Sequence, residues 1–239
     1  MAKNSGEVSM DRKLIEVYKT HGIKTFLNVC SEMLNIKDKA DWEKKKKSNG
    51  EVCEVVLRVL SEHYLKTRKL QGTTFHSMVL SDLRNPKSDF KTELDFTLLT
   101  PSVCLTGECK SFVGDIVVTG DCTLTRDEMQ ADVAKQSLLH GRCLKLYLEK
   151  FAKAGINMTA PPFGLFCFVY SNGTLADRRT TSKKNLIPVL TVSTLYSYYD
   201  QVFKQHSKEV YRYAEAQKEF KKLTESKALH AAHKAYLGY

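Results

Sequence analysis

The chain has 239 residues, of which 37 are Lys or Arg and 27 are Asp or Glu, giving a formal net charge of +10 at pH 7. A chain of this length can bury one substantial core, and the positive surplus favours a polyanionic partner such as nucleic acid. The sequence contains no apolar run long enough to span a bilayer and no apolar stretch typical of a secretory signal near its start. We therefore expect a cytoplasmic protein with no membrane partner.

The seven cysteines lie singly along the sequence, and no Cys-x-x-Cys pair occurs among them. An odd number of scattered cysteines is typical of reduced thiols in a cytosolic protein. The spacing also argues against a structural zinc or iron–sulfur site. Cys53, Cys109 and Cys167 fall on apolar faces, and we expect their side chains to be small core residues.

The first half of the chain begins with helical periodicity. Residues 9–36 predict two short helices broken at Gly22, and a further helix is predicted from about 49 to 66. Glu51 lies in the first turn of that helix, where a carboxylate complements the helix dipole. A role as a metal ligand is the alternative for Glu51, and the sequence leaves both open.

The segment 93–111 predicts a hairpin, because a Thr-Pro-Ser turn signal separates two runs of strand-forming residues. Folding about that turn places Asp95 opposite Glu108 and Glu93 opposite Lys110. Side chains alternate between the faces of a strand, so these four charges are expected on one face. The hairpin therefore brings carboxylates and an ammonium group together.

The other face of the hairpin is predicted to be apolar. It would carry Leu94, Phe96, Leu98, Val103, Leu105 and Cys109. Like charges opposite each other repel, so a cation between Asp95 and Glu108 would relieve the repulsion. Oxygen ligands favour a hard cation, here Mg²⁺, with Mn²⁺ as an alternative. A solvated outer face is the competing interpretation, but apolar flanks indicate an inner strand, where unpaired charges are costly.

The second half of the chain alternates strands with helices. We predict a first strand at 73–82 before the hairpin, then a strand near 115–119, a helix from 125 to 153, a buried strand at 163–170, an edge strand with Pro188 at 186–192, and one or two helices over 194–236. Thr125 and Glu128 would form a capping box at the start of the long helix. Gln136 on that helix is a candidate contact for a metal-bound water or a phosphate, or else an ordinary surface amide.

A basic segment lies between the last two predicted strands. It contains Arg178, Arg179, Lys183 and Lys184. Such a loop can bind phosphates and so give sequence-independent, salt-sensitive affinity for nucleic acid. A solvated hairpin is equally compatible with the pattern.

Asp95 followed by Glu108-Cys109-Lys110 resembles the D…(D/E)xK signature of the PD-(D/E)XK nuclease superfamily. The wider context is similar to its nuclease-related domain (NERD) branch, over roughly residues 48–200. The further matching features are the Gly50-Glu51 pair at the start of an early helix, the aromatic and Gly-acidic turn after the E-x-K strand (Phe112, Gly114, Asp115), and the glutamine-bearing helix (Gln136). Leu94 stands where the superfamily name implies proline.

This resemblance implies a restriction-endonuclease-like α/β fold, with a mixed central sheet flanked by helices. Residues 1–47 would form a helical N-terminal extension, 48–200 the nuclease-like core domain, and 201–239 a C-terminal helical extension packed on that core. The helical extensions are not part of the core of the NERD branch.

The resemblance also implies a Mg²⁺-dependent nuclease that hydrolyses DNA phosphodiester bonds, with cleavage at ends or at internal sites left open. Asp95, Glu108, Glu51 and the Cys109 backbone carbonyl would hold the metal. Lys110 would orient or deprotonate the attacking water, and Gln136 would support it. The alternatives are a catalytically silent nucleic-acid-binding or assembly subunit on the same scaffold, and an RNA-directed nuclease. A homo-oligomer or a helicase or other assembly partner is also compatible with the sequence.

Overall fold

The computed structural model describes residues 10–34, 39–85, 90–127 and 129–238; for residues 39–48 it describes the backbone only. The helices are α1 (Met10–Met33), α2 (Lys39–Arg68), α3 (Val133–Lys153), α4 (Thr181–Leu186), α5 (Leu195–Gln205), α6 (Tyr213–Glu225) and α7 (Lys227–Leu237). The strands are β1 (Thr73–Ser81), β2 (Lys91–Leu99), β3 (Cys104–Phe112), β4 (Ile116–Thr119), β5 (Thr123–Arg126), β6 (Met129–Asp132), β7 (Phe163–Ser171), β8 (Leu175–Asp177) and β9 (Val189–Leu190).

The central sheet has the strand order β1-β2-β3-β7-β9. The pairs β1–β2 and β2–β3 are antiparallel, whereas β3–β7 and β7–β9 are parallel. Parallel neighbours need a long crossover, and α3 lies in the connection from β3 to β7. The predicted α/β fold with a mixed sheet and helical segments at both ends is therefore confirmed.

Helices cover both faces of this sheet. On one face, β2, β3 and β7 share an apolar cluster with α1, α2 and α5, including Val56, Phe96 and Tyr199. On the other face, β1 and β2 pack against α3 and α6, for example through Leu144 and Phe220. Burial on both faces explains the near-continuous apolar sequence of β7, since its residues 166–170 are all buried.

Close packing between β3 and β7 accounts for Gly107. A Cβ atom added at this position would come within 2.5 Å of the Phe166 ring, which fills the space above the glycine. The residue before Glu108 therefore has no side chain because the neighbouring strand occupies its place. This contact fixes β3 tightly against β7 directly next to the E-x-K segment.

A second, smaller sheet has the order β6-β5-β4-β8 and packs on the start of α3 and on β7. The helix prediction from 125 was wrong, because Thr125 lies in β5 and α3 begins only at Val133. Asp132 caps α3 by accepting a hydrogen bond from the Lys135 amide at 3.3 Å. Glu128, the other half of the predicted capping box, lies outside the described residues.

The remaining predictions about elements agree in part. α1 is kinked at Gly22, whose φ of 79° interrupts the helix at the predicted break. β9 is an edge strand, but it spans only Val189–Leu190, because α4 extends to Leu186 and shortens it. The expected domain limits at 47/48 and 200/201 fall inside α2 and α5, so both terminal segments continue into helices of the core.

All seven cysteines lie in the described residues and are buried free thiols; the sequence predicted free thiols throughout and burial of Cys53, Cys109 and Cys167. In the part of the chain that the structure describes, no helix combines the length and apolarity needed to cross a membrane.

Candidate active site

The register of the β2–β3 hairpin sets Asp95 beside Glu108. The ladder pairs Phe96 with Gly107 and Leu98 with Leu105, which is the predicted register. The paired ladder ends there, and Asp95 and Glu108 are the next residue on each strand. Burial and then the negative charge of Asp95 raise the pKa of Glu108, so the two carboxyl groups interact across the strands.

The regular alternation of side chains between the two faces of β2 is interrupted at Asp95. Leu94 packs in the cluster with α3 and α6, whereas Phe96 packs with α2 and α5, so the prediction that both share one apolar face was wrong. The cause is local: Ser77 on β1 has a φ of 50°, and the β1–β2 ladder passes from Leu94 to Phe96 without a pair at Asp95. Asp95 is thus left outside the regular ladder and turns towards β3.

The backbone of β3 holds the Asp95 carboxylate. The amide of Cys109 donates a hydrogen bond of 2.8 Å to Asp95 Oδ2. Glu93, two residues earlier on β2 and predicted opposite Lys110, has its Oε2 3.2 Å from Nδ1 of His233 on α7. The C-terminal helix therefore contacts the strand that carries Asp95.

Glu108 is only 2% exposed, and both of its oxygens face other side chains. Oε1 accepts a short hydrogen bond from Nζ of Lys110. Oε2 lies 3.3 Å from Nδ1 of His140 on α3 but makes no hydrogen bond of good geometry. A second contact between α3 and β3 runs from Lys110 Nζ, which donates to Gln136 Oε1 at 3.3 Å.

The helix α3 therefore presents two residues to the E-x-K segment, Gln136 and His140, one turn apart on the same face. Gln136 was predicted at the site and lies there. His140 was not predicted, because the histidines of the sequence show no spacing typical of metal ligands. Its position four residues after Gln136 could have indicated it, since residues four apart lie on the same face of a helix.

The electrostatics of Asp95 and Glu108 fit a site made for a cation. Burial raises the pKa of Asp95. Burial, and then the negative charge of Asp95, raise the pKa of Glu108 to about 8. Burial alone would lower the pKa of Lys110, but attraction to Glu108 outweighs it and the pKa is raised. Without a cation, the two carboxyl groups therefore tend to retain a proton between them.

The helix α2 adds a carboxylate that the sequence analysis did not single out. Burial, followed by the charges of Asp95 and Glu93, raises the pKa of Glu54 to about 8. Glu51, the predicted ligand, lies one turn earlier and lines a cavity of about 310 Å³ together with Glu54 and His76. Glu54 could have been predicted from its position three residues after Glu51, because that spacing places both glutamates on one face of the helix.

The donor set suits Mg²⁺ rather than a metal that needs an all-protein cage. Among the described residues, no three or more His, Cys, Asp or Glu side chains are grouped so as to hold a metal ion. Mg²⁺ is usually held by only one or two carboxylates and keeps several waters. Asp95, Glu108 and the Cys109 carbonyl could serve as ligands of that kind, and burial raises the pKa of both carboxyl groups, with the charge of Asp95 adding to the effect on Glu108.

The basic segment is partly structural. Arg179 is 6% exposed, and its guanidinium donates to both carboxylate oxygens of Asp177, at 3.0 and 2.8 Å. It also donates to the Ile187 carbonyl at 3.0 Å. These bonds use its donors inside the protein, which corrects the prediction that Arg179 binds nucleic acid.

The other three basic residues of the segment lie nearer to solvent, on or beside α4. Lys183 pairs with Asp121 at 2.7 Å, whereas the side chain of Arg178 is exposed and that of Lys184 is half-buried. Arg178 and Lys184 are therefore the members of the segment best placed to meet a phosphate.

Comparison with protein-family models, with curated proteins and with solved structures gives no match for this chain. Its function is therefore inferred from the chemistry of the site itself.

Proposed function

We propose that the protein is a Mg²⁺-dependent nuclease that hydrolyses DNA phosphodiester bonds. One observation carries the proposal: the buried carboxyl group of Glu108 accepts a hydrogen bond from the ammonium group of Lys110 and interacts electrostatically with the half-buried Asp95 of the neighbouring strand. Burying Glu108 is costly unless it has a purpose, because a buried charge loses its hydration. A metal-dependent hydrolytic site supplies that purpose.

Asp95, Glu108 and the Cys109 carbonyl would hold the ion, with Mn²⁺ as a substitute for Mg²⁺. When bound, the ion supplies a Lewis acid that lowers the pKa of water and offsets charge on the phosphate. The amide of Cys109 keeps the Asp95 carboxylate facing β3. Glu54 on α2 is a further carboxyl group on the same side, and burial together with the charge of Asp95 raises its pKa.

Lys110 would orient the attacking water and add positive charge beside the developing pentacovalent phosphate. Its raised pKa means that it carries its proton at neutral pH, which favours this donor role over deprotonation of the water. Gln136 would support it, because its side-chain oxygen accepts a hydrogen bond from Nζ and limits the movement of the lysine.

A catalytically silent nucleic-acid-binding or assembly subunit is the second candidate. Such a subunit gains nothing from the Asp95–Glu108–Lys110 triplet, because binding of a polyanion needs only exposed basic groups. An RNA-directed nuclease would use the same triplet, so the choice of substrate needs a direct test. The chain's surplus of positive charge suits either nucleic acid.

The test is incubation with linear duplex DNA, closed circular DNA, single-stranded DNA and single-stranded RNA, each with Mg²⁺ and with EDTA. We expect cleavage of DNA in Mg²⁺ and none in EDTA. Cleavage of the circular substrate would identify an endonuclease, which needs no free end, and cleavage of linear DNA alone would identify an exonuclease. Lys110→Ala should abolish most of this activity, whereas Lys135→Ala, on the exposed side of α3, should not. Binding without cleavage of every substrate would favour the silent subunit, and preference for RNA would change the substrate.

A further inference from the structure

His140 is an almost fully buried residue that faces the proposed metal ligand Glu108. It is 4% exposed, and its Nδ1 lies 3.3 Å from Glu108 Oε2. It lies on α3, one turn after Gln136, whose oxygen accepts from Lys110. The same helix face therefore contacts both charged residues of the E-x-K segment.

The two oxygens of Glu108 have different neighbours. Oε1 accepts from Lys110, while Oε2 faces the imidazole of His140. When Glu108 ligates a metal ion it is ionised and only accepts hydrogen bonds, so an imidazole nitrogen that bonds to it must carry a hydrogen. The 3.3 Å contact lacks good hydrogen-bond geometry, but His140 in the Nδ1–H form is close enough to hold Oε2 from the α3 side and fix the rotation of the ionised carboxylate.

We infer that His140 is a positioning residue that orients Glu108 for metal binding through its Nδ1–H group. The inference rests on the proposed function, because it assigns Glu108 as a ligand. A partner that orients a ligating carboxylate raises metal affinity and activity, and its loss typically costs roughly 10–100-fold in either quantity. His140 acts through Glu108 and is given no contact with the substrate.

Packing is the competing explanation, because α3 buries this face against the sheet. Two substitutions separate the explanations. His140→Leu fills most of the space but removes the donor, whereas His140→Asn leaves a cavity but places an amide nitrogen near the position of Nδ1. If His140 only fills space, the Leu variant should have both the higher melting temperature and the higher activity. If His140 positions Glu108, the Leu variant should have the higher melting temperature but the Asn variant the higher activity.

The experiment measures melting temperature in EDTA, the Mg²⁺ concentration that gives half-maximal thermal stabilisation, and kcat with the DNA substrate that the wild type cleaves. We expect His140→Leu to be folded but to need roughly 10-fold or more Mg²⁺ and to lose roughly 10–100-fold in kcat. His140→Asn should recover most of both values despite a lower melting temperature. Leu144→Ala, at a fully buried position of the same helix α3, is the control and should lower the melting temperature while leaving the Mg²⁺ affinity unchanged.

A second readout does not depend on cleavage. Nitrogen chemical shifts of His140 in the metal-free wild type at pH 9 report which ring nitrogen is protonated. We expect the Nδ1–H tautomer, and a change in its signal in Glu108→Gln. An Nε2–H tautomer, or wild-type Mg²⁺ affinity in His140→Leu, would overturn the inference. Failure of the wild type to cleave any substrate, with the Nδ1–H tautomer present, would count only against the proposed nuclease function.

Discussion

The amide of Cys109 donates a 2.8 Å hydrogen bond to Oδ2 of Asp95, so the residue between Glu108 and Lys110 also fixes the carboxylate of the neighbouring strand. The bond comes from the backbone, which means that the identity of the middle residue matters little for it. Asp95 can reach this amide because β2 leaves the regular ladder at that position. The two strands thus build one site from a local irregularity and a regular E-x-K segment.

Asp95→Asn should abolish cleavage while leaving the metal-free protein as stable as the wild type or more stable. The amide oxygen of Asn can still accept from Cys109, and the like-charge repulsion with Glu108 is removed. Saturating Mg²⁺ at about 100 times its Kd should stabilise the wild type by about 2.7 kcal/mol and the variant by much less. Glu93→Gln is the control, and equal stabilisation of wild type and Asp95→Asn would remove Asp95 from the metal site.

Lys110→Ala should lower kcat by about 10²–10⁴-fold, the range for acid–base and electrostatic contributions of a single group. Mg²⁺ binding should survive, since lysine is not a ligand and its loss frees Oε1 of Glu108. The measurements are single-turnover cleavage and Mg²⁺-dependent melting. Cleavage near the wild-type rate would mean that the E-x-K match has no catalytic meaning.

The hairpin could be predicted because its turn and its strand-forming residues are local in sequence. The register at Phe96 and Gly107 follows from them directly. The position of Leu94 could not be predicted, because strict alternation assumes a regular strand. The irregularity coincides with the left-handed φ of Ser77 on the neighbouring strand β1. Serine does not favour that conformation, so nothing in the sequence of either strand indicates it.

The contributions of the helices were predicted less well. Gln136 was found through the family resemblance, but His140 and Glu54 depend on how α3 and α2 rotate against the sheet. That rotation is set by tertiary packing, which a single amphipathic pattern defines only coarsely. Arg179 was misassigned for a related reason: a basic residue next to Asp177 in sequence gives no indication that both turn inward.

The stability of the metal-free protein should fall as the pH rises from 6.5 to 8. Glu54 and Glu108 have folded-state pKa values of about 8, above their ordinary 4.5, so the native state holds protons that the unfolded state has lost. Burial lowers the pKa of His76 to about 3, and burial with the charge of Lys110 lowers that of His140 to about 4. These histidines act in the opposite direction, but only below pH 6.5, where the unfolded state binds their protons.

The matched variants for this pH dependence are Glu54→Gln and Glu51→Gln, which remove a carboxylate from the same helix α2. Chemical unfolding in EDTA at pH 6.5, 7.25 and 8 gives the slope of stability against pH. We expect Glu54→Gln to reduce the slope and to be more stable than the wild type at pH 8. Glu51→Gln should keep most of the slope. A slope of zero in the wild type would contradict the retained protons at Glu54 and Glu108.

The adjacent residues Arg178 and Arg179 should give opposite results when each is replaced by Ala. Arg178 is exposed, so its loss should leave the melting temperature unchanged. Arg179 is buried against Asp177, so its loss should cost about 2 kcal/mol or more, because an unpaired carboxylate and free carbonyls remain. Thermal unfolding of the two variants measures the contrast.

If the exposed part of the basic segment contacts the DNA backbone, Arg178→Ala combined with Lys184→Ala should weaken binding and flatten its salt dependence. Each lost phosphate contact should reduce the slope of log affinity against log salt by about 1 for duplex DNA. At saturating DNA, cleavage should persist, since Asp95, Glu108 and Lys110 are untouched. An unchanged slope would show that this surface is only solvated. The basic α7 would then be the next surface to test, because its His233 already contacts Glu93 beside the proposed active site.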